Sequence, residues 1–179
     1  MAPTPYNGTS YFWGQERYLR EDVYYVSFLS SLKSAPSDAW DMSDAGDGSV
    51  LAWVSGNSLY VAADGAISPN PNASCLFAWF TNLKTIYFGD SFDTSNVTNM
   101  FRMFSNCQSI TSLDLSCFNT SKVTNMTRMF DGCKNLVYLD LSYFHASSAT
   151  NTTSMFKNCD MLKTLIGSDS KILEVCRSR

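Results

Sequence analysis

Apolar positions recur in the second half of the chain at two alternating spacings. In residues 123–133 the apolar side chains fall every three or four positions, which is the spacing of one face of an α-helix. Leu139 and Leu141 then flank Asp140, an alternation that is typical of a β-strand with one buried face. We therefore predict a short helix followed by a short strand in this segment.

The same pattern returns every 26 residues. Phe92, Phe118 and Phe144 begin three units that align without gaps, since 118 − 92 and 144 − 118 both give 26. Residues 76–88 match the same template at an offset of 27 and form a degenerate earlier unit. The constant columns are apolar, and they include Met103/Met129/Met155, Phe104/Phe130/Phe156, Cys107/Cys133/Cys159 and Leu113/Leu139/Leu165. A unit of this size cannot bury its own apolar face, so its stability must come from its neighbours.

This period predicts an α/β solenoid, a leucine-rich-repeat-like stack of short parallel strands and short helices with a small N-terminal β cap. We predict residues 1–73 as a β-rich capping region and residues 74–168 as the solenoid, with one degenerate and three clear units. Residues 169–179 are predicted to form a C-terminal cap, in which "KILEVC" covers the open end.

The first part of the chain is not repetitive. Residues 22–29 read as a strand, and residues 49–64 read as a hairpin with Gly56 and Asn57 near the turn. Such a unit would cover the exposed end of the first repeat, because open ends of repeat stacks invite association. The alternative is an independent binding surface, for which a short stretch offers Tyr11, Phe12, Trp13 and Tyr18.

Composition excludes several classes of protein. Hydrophobic residues make up 45% of the chain and charged residues 16%, which suffices for a core and argues against disorder. The net charge is −3 and the basic residues form no stripe, so we expect no nucleic-acid partner. Apolar runs such as "LFAWF" are too short to span a bilayer, so we expect no membrane insertion. The chain shows neither a signal peptide nor a C-terminal anchor.

Neither the spacing of the cysteines nor the position of the histidine matches a known type of metal or catalytic site. Cys107, Cys133 and Cys159 share one repeat column, so we predict a ladder of buried free thiols. No paired spacing of the kind that binds zinc is present. The single histidine, His145, falls in a column of surface turn residues and has no evident acid partner. We therefore predict no catalytic residue, no cofactor and no metal site.

The segment "FNTSKVTNMTRMFDGCKNLVYLDLS" resembles the repeat of the BspA-like leucine-rich-repeat family, which is common in surface proteins of gut and oral bacteria. The resemblance covers roughly residues 74–168, and "DAWDMSDAGDGSVLAWV" is similar to the leader that often precedes such repeats. It implies a non-enzymatic role in binding or adhesion. It also implies a surface or secreted location, whereas the missing signal and anchor leave a cytoplasmic location open.

The outward columns differ between the units while the inward columns stay nearly constant, as expected for a binding surface on a fixed framework. We predict a protein partner of unknown identity, a monomeric state, and recognition through the exposed strand face. The candidate partner-binding residues are Ser112, Asp114, Tyr138, Asp140, Thr164 and Tyr143. Tyr143 represents a rival geometry, since it follows the strand. The alternative function is an intracellular inhibitor or adaptor that binds a bacterial, phage or host protein.

Overall fold

The computed structural model of the chain describes residues 11–12, 15–146 and 150–177. The strands in these residues are β1 Tyr11–Phe12, β2 Gln15–Leu19, β3 Tyr25–Leu29, β4 Trp40–Asp41, β5 Leu51–Ser55, β6 Ser58–Ala62, β7 Thr85–Tyr87, β8 Ser112–Leu113, β9 Tyr138–Asp140 and β10 Thr164–Ile166. The helices are two short 3₁₀ turns, Arg20–Asp22 and Leu32–Ser34, and the α-helix α1, Ser170–Arg177.

The described strands form three sheets. β1 and β2 make a two-stranded antiparallel sheet. The largest sheet has five strands in the order β4-β5-β6-β3-β7, in which β3 is parallel to both β6 and β7 while β5 is antiparallel to β4 and β6. A separate parallel sheet contains β8, β9 and β10, each contributed by one repeat unit.

The predicted fold class is wrong. The described residues form a small β-rich domain with a five-stranded mixed sheet, a separate three-stranded parallel sheet and one helix, and they do not form an α/β solenoid. The strand of the degenerate unit, β7, pairs with β3 of the N-terminal region and not with β8 of the next unit. The predicted domain bounds at residues 73 and 168 stay a prediction.

Among the described residues of the repeats, the predicted helices are absent because left-handed residues interrupt each segment. Arg102 and Asn106 have φ values of 53° and 61°, and the equivalent Arg128 and Gly132 have 56° and 80°. A residue in this conformation cannot continue a right-handed helix. The N–H groups donate to the next unit instead, for example from Phe104 to the Met129 carbonyl at 2.9 Å. Apolar side chains every three or four residues therefore mark successive turns here.

These turns build one side of the repeat region, which we call the turn wall. It consists of residues 72–80, 99–107, 125–133 and 151–159. In the first three segments, N–H groups two residues apart donate to carbonyls of the following segment, as from Phe77 to Met103 at 2.8 Å and from Phe130 to Met155 at 2.9 Å. The side chains of Asn99, Asn125 and Asn151 each accept the N–H two residues ahead. This local bond favours a turn over a helix.

The strand and hairpin predicted for the N-terminal part are confirmed. Residues 22–29 contain β3, and residues 49–64 contain β5 and β6, which pair antiparallel over their full length. Gly56 lies in the turn with φ 57°, a conformation that glycine adopts without steric cost. The aromatic surface predicted around Tyr11, Phe12 and Trp13 lies outside the described side chains.

A stack of phenylalanine rings forms the centre of the core. Phe77, Phe104, Phe130 and Phe156 are almost fully buried, and successive centroids lie 5.3, 5.6 and 5.7 Å apart. The ring planes differ by only 8°, 5° and 3°, so successive rings are stacked nearly parallel to one another. The stack links the degenerate unit to the third unit through one continuous hydrophobic cluster.

A buried arginine closes the turn wall at its N-terminal end. Arg20 is 3% exposed, and its Nη1 donates to the Ala78 carbonyl at 2.8 Å. In the next two segments the equivalent carbonyls, those of Ser105 and Asp131, each accept an N–H from the preceding segment. Residues 72–80 form the first segment of the turn wall, so no preceding segment supplies this N–H. The guanidinium also lies over the Phe80 ring, 5.2 Å from its centroid. Arg20 thus supplies the donor that a further unit would otherwise provide.

At the opposite end, Asp169 joins α1 to the third unit. Its carboxylate accepts the N–H groups of Lys171 and Ile172 in the first turn of α1, at 3.0 and 3.2 Å. The same carboxylate accepts the N–H of Ala146 at 2.8 Å. An aspartate before the first helical residue is a favourable N-cap. Ile172 is buried, so the segment predicted to cover this end forms a helix that packs on the core.

The predicted ladder of buried thiols is confirmed. Cys107, Cys133 and Cys159 are buried and form no disulfide, and their Sγ atoms donate to the carbonyls of Phe77, Phe104 and Phe130, each at 3.1 Å. Each acceptor belongs to the preceding unit. A thiol can make this bond only while it is protonated, and burial raises the pKa of Cys107 to about 12.

The thiol ladder should resist alkylation in the folded protein. We expect iodoacetamide to modify Cys117, though slowly because desolvation raises the pKa of its thiol, and to leave Cys107, Cys133 and Cys159 unmodified because the reagent cannot reach buried thiols. Mass mapping after native and denaturing alkylation measures this, and all six cysteines should react once the chain is unfolded. A disulfide between any two of the three ladder cysteines in a non-reducing map would contradict the prediction.

Candidate binding face and the adjoining groove

The outward side chains of β8, β9 and β10 form a single row. Ser112 lies opposite Tyr138, and Tyr138 lies opposite Thr164 in the parallel register. All three side chains are exposed, Tyr138 by 41%, whereas the alternate residue Leu139 is buried. Because β9 is hydrogen-bonded on both sides, Tyr138 sits on a fixed backbone at the middle of this face. The structure therefore brings together three of the predicted site residues.

Asp114 and Asp140 lie in the next outward row, but each also stabilises a turn. Asp114 accepts the N–H of Ser116 at 3.0 Å, and Asp140 accepts the N–H of Ser142 at 2.9 Å. The hydrogen bonds from Ser142 lower the pKa of the Asp140 carboxyl. A carboxylate that already accepts a hydrogen bond from a nearby backbone N–H has fewer acceptor sites left for a partner. These carboxylates therefore have a structural role whether or not they contact a partner.

Tyr143 does not join the row on the sheet. It lies in the turn after β9 and is 63% exposed. The predicted set of site residues thus divides into sheet positions and one turn position. At the far edge of the sheet, Leu165 is only half-buried, and Ile166 is 42% exposed beside Asp140.

A groove opens where the two larger sheets meet, and the sequence interpretation missed it. It has a volume of about 470 Å³ and lies between β7 and β8. Among the described residues that line it are Thr85, Tyr87, Asp90, Ser112, Asp114 and Cys117. Tyr87 is 60% exposed. Aligning Ile86 with Leu113 at the offset of 27 places Tyr87 in the column of Asp114, and that alignment was the available signal.

The groove carries negative charge only. Of the described residues that line it, Asp90 and Asp114 are ionisable acids and none is basic. Desolvation, with a smaller contribution from the negative charges of Asp114 and Asp90, raises the pKa of the Cys117 thiol to about 11 although the residue is exposed overall. All three residues line the same groove.

The single histidine of the chain is not among the residues of this face or of the groove. His145 is exposed, and its backbone N–H donates to Thr120 Oγ1 at 2.9 Å. The predicted absence of catalysis, cofactors and metals stays a prediction. In the part of the chain that the structure describes, no helix has the length and apolar character needed to cross a membrane.

Comparison with known families decides the affiliation of the repeat region. The family described as "Mycoplasma protein of unknown function, DUF285" matches residues 73–171, more than half of the chain. The chain belongs to this family. The predicted assignment to the BspA-like leucine-rich-repeat family is wrong, since the family that matches is DUF285. The DUF285 region contains β7 to β10 and therefore both the row of Tyr138 and the groove. Searches of curated proteins and of solved structures find no match.

Proposed function

We propose that the chain is a non-enzymatic protein-binding module that recognises its partner through the outward face of β8, β9 and β10. The observation that carries the proposal is Tyr138. The residue is 41% exposed and lies on β9, the central strand of the three-stranded sheet, which is paired with β8 on one side and β10 on the other. Tyrosine is enriched among residues that dominate interface energy, and such residues cluster near the centre of an interface.

Variation between the units supports the same face. The inward columns repeat Met, Phe and Cys, while the outward row changes from Ser112 to Tyr138 to Thr164. A rigid framework with variable outward positions suits recognition, because little conformational entropy is lost on binding. The sheet also presents polar neighbours around the ring, as the rim of an interface commonly does.

Changing Tyr138 tests this proposal. Tyr138→Ala should weaken binding to a captured partner by about thirtyfold, which corresponds to about 2 kcal/mol at a central aromatic residue. The thermal midpoint should change little, since an exposed strand position tolerates substitution within about 0.5 kcal/mol. The partner is first identified by affinity capture from cell lysate and from host-surface extract, and its Kd is then measured by calorimetry.

Tyr143→Ala is the matched control, because Tyr143 is an exposed tyrosine in the turn outside the row. It should leave the Kd within about twofold of the unmodified protein. Loss of binding in Tyr143→Ala together with full binding in Tyr138→Ala would move the site off the sheet. The nature of the captured partner separates adhesion from an inhibitor or adaptor role, since adhesion requires a surface protein.

A further inference from the structure

The groove arises because the degenerate unit and the first clear unit are joined along only one side. Along the turn wall they are hydrogen-bonded, from Phe77 to Met103 at 2.8 Å and from Trp79 to Ser105 at 2.8 Å. Along the strands, no backbone hydrogen bond joins β7 to β8 within the described residues. In the next pair of units the strands are joined, as from Val137 to Thr111 at 2.8 Å. The two strand edges are therefore not joined to each other, and the groove lies between them.

Pairing of β7 with the other sheet explains why these edges are not joined. Tyr25 lies opposite Thr85, and Ser27 lies opposite Tyr87, so β7 follows β3. The N–H of Lys84 likewise donates to the Tyr24 carbonyl at 2.8 Å. Behind the groove, Gly89 has φ 60°, and an added Cβ would lie 3.1 Å from the Phe28 carbonyl oxygen. The groove is thus built by rigid elements on both sides.

The groove combines an aromatic wall with uncompensated negative charge. The ring of Tyr87 is 60% exposed at one side. Neither Asp90 nor Asp114 has a basic partner in the described part of the chain, and the hydrogen bond to Ser116 uses only Oδ1 of Asp114. A guanidinium group matches this arrangement best, because it stacks on an aromatic face and donates to two carboxylates from one plane.

From this complementarity we infer that the groove is a subsite for an arginine side chain of the protein partner, adjoining the face of Tyr138. The inference rests on the proposed function, since it assigns a chemical feature to the partner of that same face. Ser112 belongs both to the row of Tyr138 and to the lining of the groove, so one bound segment can contact both.

A titration with small peptides tests the subsite without the partner. The probe is acetyl-Gly-Arg-Gly-amide, and the matched control probe replaces arginine by citrulline, which is neutral and has nearly the same shape. Amide chemical shifts are followed by ¹⁵N–¹H NMR. The arginine peptide should shift the amides of Tyr87, Asp90 and Cys117 in a saturable way. The citrulline peptide should bind at least tenfold more weakly, because charge-assisted hydrogen bonds are lost.

Two double variants complete the test. Asp90→Asn with Asp114→Asn should weaken arginine binding at least tenfold, and Asp114→Asn retains an oxygen that can accept the Ser116 N–H. Asp38→Asn with Asp160→Asn removes the same charge at two exposed positions outside the groove and should leave binding unchanged. Thermal midpoints establish that each variant is folded, and Tyr87→Leu offers an independent change at the aromatic wall with an expected loss of about threefold.

Equal binding of the arginine and citrulline peptides would overturn the inference, as would full arginine binding by the Asp90/Asp114 variant. Failure of this titration leaves the Tyr138→Ala experiment unaffected, because the peptide assay contains no partner. Conversely, a partner whose Kd is unchanged by Tyr138→Ala would refute the proposed face, while the peptide data would still report on the groove.

Discussion

Phe130→Ala is expected to lower the free energy of unfolding by roughly 3–5 kcal/mol, the usual cost of truncating a buried phenylalanine. Phe130 is fully buried, and its ring packs between Phe104 and Phe156 at centroid distances of 5.6 and 5.7 Å. The substitution removes both ring contacts and leaves a cavity between two units that the ring holds together. Denaturation in urea, monitored by circular dichroism, measures the change.

Phe101→Ala is the matched control, since Phe101 belongs to the repeat region but is only half-buried. It should cost less than about 1 kcal/mol. If Phe130→Ala also costs less than about 1 kcal/mol, the phenylalanine column does not form the interior of the protein. A change in the slope of the urea transition would indicate a change in the surface exposed on unfolding or a departure from two-state unfolding.

The second large effect is expected in alkali. Burial raises the pKa of Cys107 to about 12 and raises the pKa of Cys133 well above its ordinary value. In the unfolded chain both thiols ionise near pH 8.5. Above that pH the unfolded state binds fewer protons than the folded state, so stability is complete below it and falls as the pH rises. The loss should reach roughly 2 kcal/mol for Cys107 alone at pH 10 relative to pH 7, and Cys133 adds to the loss in the same direction.

Urea denaturation at intervals from pH 7 to pH 10.5 measures this loss. Cys133→Ala should be less stable at pH 7 but should lose less stability with rising pH, and the double variant with Cys107→Ala should lose least. Leu136→Val provides the control, because it perturbs a buried position without removing a titrating group. It should keep the slope of the unmodified protein. An unchanged slope in the double variant would assign the alkaline sensitivity to other groups.

The sequence was informative about which side chains are interior and misleading about the backbone that carries them. Met129, Phe130 and Cys133 are buried as the column pattern predicts. The prediction of a helix was wrong because a spacing of three or four residues describes only the direction of the side chains. Arg128, with φ 56°, turns the backbone within that spacing. Residues other than glycine rarely adopt this conformation, so composition gives no warning of it.

The candidate face was predictable in part. Alternation along a strand suffices to place Ser112, Tyr138 and Thr164 outward, and the register aligns them. The groove depends on which strand pairs with β7. An alignment of the repeats predicts pairing with β8, whereas β7 pairs with β3. Pairing between distant segments is set by the packing of the whole N-terminal sheet, which no local pattern of apolar residues encodes.

The hydrogen bonds between successive segments of the turn wall have a further physical consequence, because alternate N–H groups within each of the first three segments point toward the following unit. The four N–H groups of Met100, Arg102, Phe104 and Asn106 donate to the following unit, while the carbonyls alternating with them face the preceding one. Peptide dipoles aligned in this way add up, as they do along an α-helix. The wall therefore has an electrical polarity, with its negative pole at residues 72–80, where the guanidinium of Arg20 is buried, and its positive pole at the third unit. Acidic side chains should therefore favour the docking of a segment beside the third unit, and basic side chains should favour docking beside residues 72–80.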